Sequence, residues 1–309
     1  MHLNSRPGER RVARVCPCLA TSCLVTLVGA TLVLLPPAPA SAQLESRWFP
    51  DVEPFASLIA TPREVQVRAS FVYAERPGNL LDGDGYGGRN IEAEVAVGHM
   101  LGLLRLDDGS AAGRAMTLGI EMGIFSRFFM EVAQRDLINS DFRIGLPLSI
   151  RIGPWESRLT LRHVSSHLGD DYLVRFLDVT ALGGFGQTSK DGFEGIVARR
   201  VGESVRLYAG GDWNFHTNEK MSQATARFGG EWEPVQPGED NGYWPFFASD
   251  FEYGSFSEQF GTTLVGGMVV RVSGQRFRLE ARARFGSTPM GHFRQSNETF
   301  YGLGFALDL

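Results

Sequence analysis

The sequence is poor in cysteine and in lysine. Its 309 residues contain three cysteines, all between positions 16 and 23, and only two lysines, Lys190 and Lys220, among 30 basic residues. A chain of this length with so few cysteines is not a small disulfide-stapled scaffold. Since 35 acidic residues outnumber the basic ones, and no glycine-rich phosphate loop is present, we expect neither nucleic acid nor nucleotide as a partner.

Long hydrophobic runs are also scarce, and the mean hydropathy of -0.10 excludes a polytopic helical membrane protein. The one long run, 19–35, follows four arginines and precedes three prolines and Ala40-Ser41-Ala42. This order predicts a secretory signal peptide over 1–42, cleaved after Ala42, with an uncleaved anchor as the alternative. The predicted mature chain has no cysteine.

Helical periodicity is nearly absent after residue 42, whereas alternation with a period of two is common. From 141 to 152, apolar residues at even positions alternate with mostly polar ones at odd positions. Strands of about 10 residues or more, apolar on one face and charged on the other, are typical of barrels that cross a bilayer. We therefore predict an all-β fold, a transmembrane antiparallel β-barrel of about 12 strands over 63–309, preceded by a periplasmic segment over 43–62. The expected strands lie near 63–75, 89–106, 113–126, 141–152, 156–167, 192–201, 203–216, 221–233, 244–255, 259–273, 275–287 and 298–309, with ten or fourteen strands as alternatives.

Connection lengths support this topology, because outer-membrane barrels have short periplasmic turns and long outer loops. The short links near Pro154, Gly202 and Gly274 fall at one end and the long links at the other, except that one link at the short end, 234–243, is longer than expected. Pro147 cannot donate to a strand ladder, so we expect a bulge or a local break there. The last residues alternate up to Leu309 and resemble the C-terminal insertion signal of outer-membrane barrels, which implies a bacterial outer-membrane location and contact with the barrel-insertion machinery.

Arginines dominate one face of the strand near 275–287. They either line an anion path or, as we expect, pair with acidic side chains inside a narrow barrel. The residues concerned are Arg276, Arg278, Arg282 and Arg284, with Glu92, Glu94, Glu121 and Glu231 as expected partners.

The segment 159–172 contains the candidate catalytic residues. His163 and Ser165 share the face of Leu159 and Leu161, which is the face turned to lipid, near the outer end of their strand. An imidazole beside a hydroxyl is the arrangement by which a general base activates a nucleophile. His163 and His167 lie about 13 Å apart on a strand, which is too far to share one metal ion.

This His-x-Ser pattern resembles the active-site motif of outer-membrane phospholipase A and of the lipid A deacylase family. Those families continue with Asn after the Ser, where this chain has Ser166. They also take an orienting polar residue twelve positions after the Ser, where this chain has Leu177. Asp170 is the preferred substitute for that third residue. Asp171, Asp178 and Glu194 are the other candidates.

A broader resemblance covers nearly the whole mature chain and is to the uncharacterised bacterial domain-of-unknown-function family 1207. It is carried by Trp48-Phe49-Pro50-Asp51, 58–64, 163–172, 206–211 and Gly291-His292-Phe293-Arg294. The resemblance implies no activity.

Two functions therefore remain open. The first is a non-catalytic envelope component or small pore of undetermined biochemical role. The alternative is a lipid-directed serine esterase with His163 as base, Ser165 as nucleophile and Asp170 as the orienting acid. We expect membrane lipid as a partner and no cofactor, with Ca²⁺ considered only under the esterase alternative.

Overall fold

The computed structural model describes residues 45–50, 54–76, 88–109, 114–171, 174, 188–217, 222–234, 241–255, 259–293 and 296–308. The predicted signal peptide, 1–42, lies outside these residues. Within them, no helix is long and apolar enough to cross a membrane. The strands are β1 (Glu45–Trp48), β2 (Val67–Arg76), β3 (Gly88–Asp107), β4 (Ala115–Phe129), β5 (Leu137–Ile152), β6 (Trp155–Leu168), β7 (Thr188–Val201), β8 (Val205–Thr217), β9 (Ala224–Trp232), β10 (Gly242–Gly254), β11 (Gln259–Val272), β12 (Gln275–Ser287) and β13 (Asn297–Asp308).

Strands β2 to β13 form a closed antiparallel barrel of twelve strands. Each strand pairs with the next along the chain, and β13 closes the ring against β2, with Thr299 opposite Glu75 and Leu307 opposite Val67. The short β1 pairs with the end of β3 that extends past the start of β2. The predicted fold class is thus confirmed, and the twelve predicted strands agree with β2–β13 to within a few residues at most ends.

Connection lengths largely divide the barrel into a short-turn end and a long-loop end. The exceptions are the links 108–114 and 233–241 at the short-turn end and the link 255–258 at the long-loop end. At the short-turn end, β11 and β12 are joined by Ser273 and Gly274, whose φ angles of 50° and 80° are those of a type I′ turn. Glycine suits this turn because it adopts positive φ without steric cost. The link that contains Gly153 also has two residues, and the link that contains Gly202 has three, so all three are short, as the sequence predicts.

The wall has an apolar outer face and a polar inner face. On β5, Phe142, Ile144 and Leu146 are exposed on the outside, while Asp141 and Arg143 are buried inside. Pro147 does not produce a bulge in β5. Its ladder to β4 keeps the same register on both sides of the proline but lacks pairing at the two positions between, which is a local break.

The lumen is filled by ion pairs rather than lined by free arginines. Arg127 contacts Glu92 at 2.8 Å and Glu94 at 2.7 Å, and Arg143 contacts Glu121 at 2.6 Å. The predicted pairing of arginine with acidic side chains is confirmed. The partners of the β12 arginines nevertheless differ from those expected, because acidic side chains on β12 itself, on the adjacent β13, on β10 and just after β9 lie within their reach. Arg276 pairs with Glu233 and Asp308, Arg278 with Glu280 and Asp308, Arg282 with Glu280, and Arg284 with Glu252.

The segment 54–66 also lies inside the barrel. Phe55 is 1% exposed and lies between the guanidinium groups of Arg158 and Arg206, 4.7 and 4.6 Å from its ring centroid. Glu64 accepts two hydrogen bonds from Arg158, at 2.7 and 3.0 Å. Most of the described part of the expected periplasmic segment 43–62 is therefore lumenal packing.

Candidate functional site

His163 and Ser165 lie on the outer face of β6, near the long-loop end. Below them on the same face, Leu159 and Leu161 are exposed apolar side chains. Strand alternation fixes this placement, because residues two apart along a strand share a face. The two candidate residues therefore stand where the apolar outer band of β6 gives way to polar side chains.

A carboxylate from the neighbouring strand holds His163. Asp191 of β7 lies directly opposite His163 in the ladder, and its Oδ1 is 2.6 Å from His163 Nδ1. A carboxylate oxygen only accepts, so Nδ1 donates and Nε2 is left as the basic nitrogen of the neutral ring. Both side chains are accessible, at 46% and 35% exposure, so a substrate could reach the imidazole from outside the barrel.

Ser165 follows two positions after His163 on the same face, about 6.6 Å further along the strand. It is half-buried and lies opposite Phe142 of β5 and Ser189 of β7. Among the described residues, its hydroxyl makes no hydrogen bond. Contacts between a catalytic base and its nucleophile are often loose before substrate binds. Ser165, His163 and Asp191 are of the residue types that serve as nucleophile, base and orienting acid in serine hydrolases.

The acid beside His163 is Asp191, and not the predicted Asp170. Asp170 lies just beyond β6 in the long link to β7 and is exposed, and no contact joins it to His163 in the described residues. Asp171 is exposed in the same link. Glu194 points into the lumen, where it contacts Arg143 and Arg162. Leu177 and Asp178 lie outside the described residues.

Asp191 lies one residue before the predicted start of its strand, and so it was not recognised as a candidate from the sequence. The strand predicted over 192–201 begins in the structure at Thr188. Extending the outward parity of Phe193 by one step places Asp191 on the outer face. The long β6–β7 link explains why the orienting residue is not found twelve positions after Ser165.

An irregularity in the wall flanks the site. The β7–β8 register shifts between Asp191 and Gly192, which places His216 of β8 opposite Asp191 and leaves Phe215 and His216 both exposed. Such bulges are common next to active sites, since they redirect side chains. Phe215 lies 5.8 Å from Phe193, centroid to centroid, so aromatic rings border the site on the side of the apolar band.

The next question is whether the described residues near His163 could bind a metal ion. Throughout the described ranges, no three His, Cys, Asp or Glu side chains are grouped so as to hold a metal ion. A separate cavity of about 860 Å³ opens at the short-turn end and is lined by Phe55, Trp244 and the ion pairs of Arg206 and Arg276. It lies at the other end of the barrel from His163.

Comparisons with known proteins agree with the fold. The family model described as "Protein of unknown function (DUF1207)" matches residues 30–307. Outer membrane phospholipase A from Escherichia coli superposes with a TM-score of 0.53 at 11% identity, covering 90% of this chain and 96% of that chain. The Salmonella typhi outer membrane phospholipase dimer with bound calcium gives 0.52 at 12% identity, covering 84% and 93%. No curated protein matches the sequence. At these identities the structural likeness shows the fold of outer-membrane barrels.

Proposed function

Because the chain belongs to the DUF1207 family of proteins of unknown function, its activity has to be argued from the site, and we propose that it is a lipid-directed serine esterase of the bacterial outer membrane. The observation that carries the proposal is the 2.6 Å contact between His163 and Asp191 on the outer face of the barrel. It supplies the orienting acid that the His-x-Ser motif lacked in the sequence.

In the proposed reaction, Ser165 Oγ attacks the ester carbonyl carbon while His163 Nε2 takes the hydroxyl proton. Collapse of the tetrahedral intermediate breaks the C–O bond of the ester, and His163 returns the proton to the leaving alcohol. Water then releases the acyl group from Ser165 by the same steps, again with His163 as base. Asp191 holds the ring and stabilises the imidazolium that forms in each half-reaction.

The position of the site supports lipid as the substrate. Leu159 and Leu161 below it and the aromatic pair Phe193–Phe215 beside it are typical of the boundary between acyl chains and headgroups. The carbonyl of an acyl ester lies at that depth in a bilayer. Insertion of the barrel through its last strand and exposure of the site at the outer leaflet are parts of the same proposal, and Ca²⁺ is a candidate activator of the esterase.

A non-catalytic envelope barrel is the second candidate, and the filled lumen favours it over a pore. Segment 54–66 and the ion pairs of Arg143 and Arg158 occupy the interior. We therefore expect no steady conductance when the purified protein is inserted in planar bilayers. A stable ionic conductance would contradict this expectation and favour a pore.

The test of the esterase is hydrolysis of phospholipid and lipid A by the detergent-solubilised protein, with and without Ca²⁺. We expect Ser165→Ala to abolish turnover and Ser189→Ala, the serine opposite it on β7, to keep it. Heat-modifiable gel migration controls for folding of each variant. Equal rates of lipid hydrolysis by the native protein and Ser165→Ala would contradict the esterase proposal and favour the non-catalytic barrel.

A further inference from the structure

The inner face of the wall directly behind Ser165 holds a buried polar cluster. Ser166, the next residue, turns its side chain into the lumen and is fully buried. Its hydroxyl donates to Asp141 Oδ1 at 2.5 Å and lies 3.0 Å from Asn139 Oδ1. Ser166 thus fastens β6 to β5 one residue from the proposed nucleophile.

A loop from the opposite side of the barrel reaches this cluster. The β12–β13 link contains a 3₁₀ turn, Gly291–Phe293, and β12 lies six strands from β6 around the ring of twelve. His292 Nε2 lies 2.8 Å from the backbone oxygen of Ser166. Since a carbonyl oxygen only accepts, Nε2 carries a proton and donates it.

The approach of this loop is tight and specific. A Cβ on Gly291 would lie 2.6 Å from Ser166 Oγ and 3.0 Å from Asp141 Oδ1, so only glycine allows the contact. The Gly291 N–H donates to both oxygens of Asp141 at 3.3 Å. Met290 and Phe293 on either side are each 1% exposed, so packing holds the turn in place.

A third segment joins at the same carboxylate. Arg63, from the lumenal segment 54–66, places Nη2 2.7 Å from Asp141 Oδ2 and donates from Nε to the oxygen of Pro289 at 3.1 Å. The lumenal segment, the β12–β13 loop and strands β5 and β6 are therefore connected through Asp141.

We propose that His292 is a positioning residue for Ser165, acting through the backbone of Ser166 from inside the barrel; this rests on the proposed esterase. The ladder from β6 to β7 ends at Ser166, opposite Thr188, whereas the ladder to β5 continues to Leu168, and strand ends with fewer partners open more readily. A catalytic group has to be held within about 0.5 Å and 10–20° of its productive geometry. The hydrogen bond from His292 restrains β6 at the residue after Ser165. Through this bond, the β12–β13 link fixes the position of the Ser165 backbone.

The first arm of the test is kinetic. We expect His292→Ala to lower kcat by about 10- to 100-fold with KM nearly unchanged, because the outer surface that meets lipid is untouched. His292→Gln should restore most of kcat, since its amide nitrogen can donate to the same carbonyl. Met290→Leu is the matched control in the same turn, because it keeps buried volume and the His292 bond.

The second arm needs no activity and uses hydrogen exchange at backbone amides of residues 163–168. His292→Ala should speed exchange there several-fold, and His292→Gln should bring it back toward the native rate. Unchanged exchange, or faster exchange with unchanged kcat, overturns the positioning role while the esterase stands. If the native protein and Ser165→Ala hydrolyse lipid equally, the esterase itself fails and this role fails with it, whatever the exchange result. A positive result is faster exchange together with a lower kcat, both reversed by glutamine.

Discussion

At the scale of single residues, the central question is which acid serves His163. Asp191 lies opposite it on the adjacent strand with a 2.6 Å contact, whereas Asp170 follows the end of β6 in a long link. Residues directly opposite in an antiparallel ladder have Cβ atoms about 4.5–5.5 Å apart, which suits a direct side-chain contact. The position of Asp191 in the β6–β7 ladder therefore identifies it, and not Asp170, as the partner of His163. Distance along the sequence does not distinguish the two.

This assignment predicts opposite outcomes for two matched substitutions. Asp191→Asn should lower kcat for lipid ester hydrolysis by about 10⁴-fold or somewhat less, because the amide no longer stabilises the imidazolium or fixes the tautomer. Asp170→Asn, which makes the same chemical change in the exposed link, should keep the native rate. The measurement is initial-rate kinetics on mixed micelles. A large loss in Asp170→Asn with full activity in Asp191→Asn would reverse the assignment.

At the scale of elements, the lumenal segment 54–66 is held by long-range contacts. Glu64 binds Arg158 of β6, the Ile59 N–H donates to Glu231 of β9 at 2.7 Å, and Thr61 donates to Asp250 of β10 at 3.1 Å. β9 and β10 are neighbours, and β6 lies three strands from β9 around the ring. The segment therefore links β6 to the β9–β10 part of the wall, which is not adjacent to it in the sheet.

The Glu64–Arg158 pair provides the element-scale prediction. Glu64→Gln leaves the buried Arg158 guanidinium with Glu194, at 3.8 Å, as its remaining carboxylate contact, and we expect it to lower the free energy of unfolding by up to about 3–5 kcal/mol. Glu75→Gln is the control, since its partner Arg89 lies on the surface and exposed pairs contribute about 0–1 kcal/mol. Urea unfolding in lipid vesicles, followed by tryptophan fluorescence, measures both. Equal midpoints for the two variants would show that Glu64 does not hold the segment.

The strands were predictable and the lumenal segment was not, for a physical reason. Outward and inward faces impose a period of two on every wall strand, and alternation such as that of 141–152 records it directly. Segment 54–66 has no such period, because its partners come from several strands distant in sequence. The predicted strand begins one residue after Asp191. The start of a strand is set by its hydrogen bonds to neighbouring strands, and the alternation of apolar residues does not define it. His292 lies in the segment 291–294, which carries part of the family resemblance, but its contact with Ser166 spans the lumen and has no local sequence pattern.

At the scale of the whole molecule, the near-neutral mean hydropathy is the average of two opposed surfaces. Exposed apolar side chains cover the outside, and paired charges fill the inside. Such a surface is unfavourable in water and favourable in a bilayer, since apolar area is removed from water when lipid covers it. We therefore expect the stability of this fold to depend on how its apolar outer face is covered by lipid.

Depth in the membrane gives the last prediction. Leu303 lies near the middle of β13 and is 71% exposed on the outer face, while Asn297 begins the same strand on the same face at the long-loop end. In lipid vesicles, Leu303→Arg should lower the free energy of unfolding by about 2–4 kcal/mol, and Asn297→Arg by about 0–1 kcal/mol, because the penalty for arginine falls from midplane to interface. In detergent micelles, which have no fixed midplane, the difference between the two variants should shrink. Equal costs in vesicles would mean that the apolar band of β13 does not face lipid, and the outer-membrane proposal would fail with it.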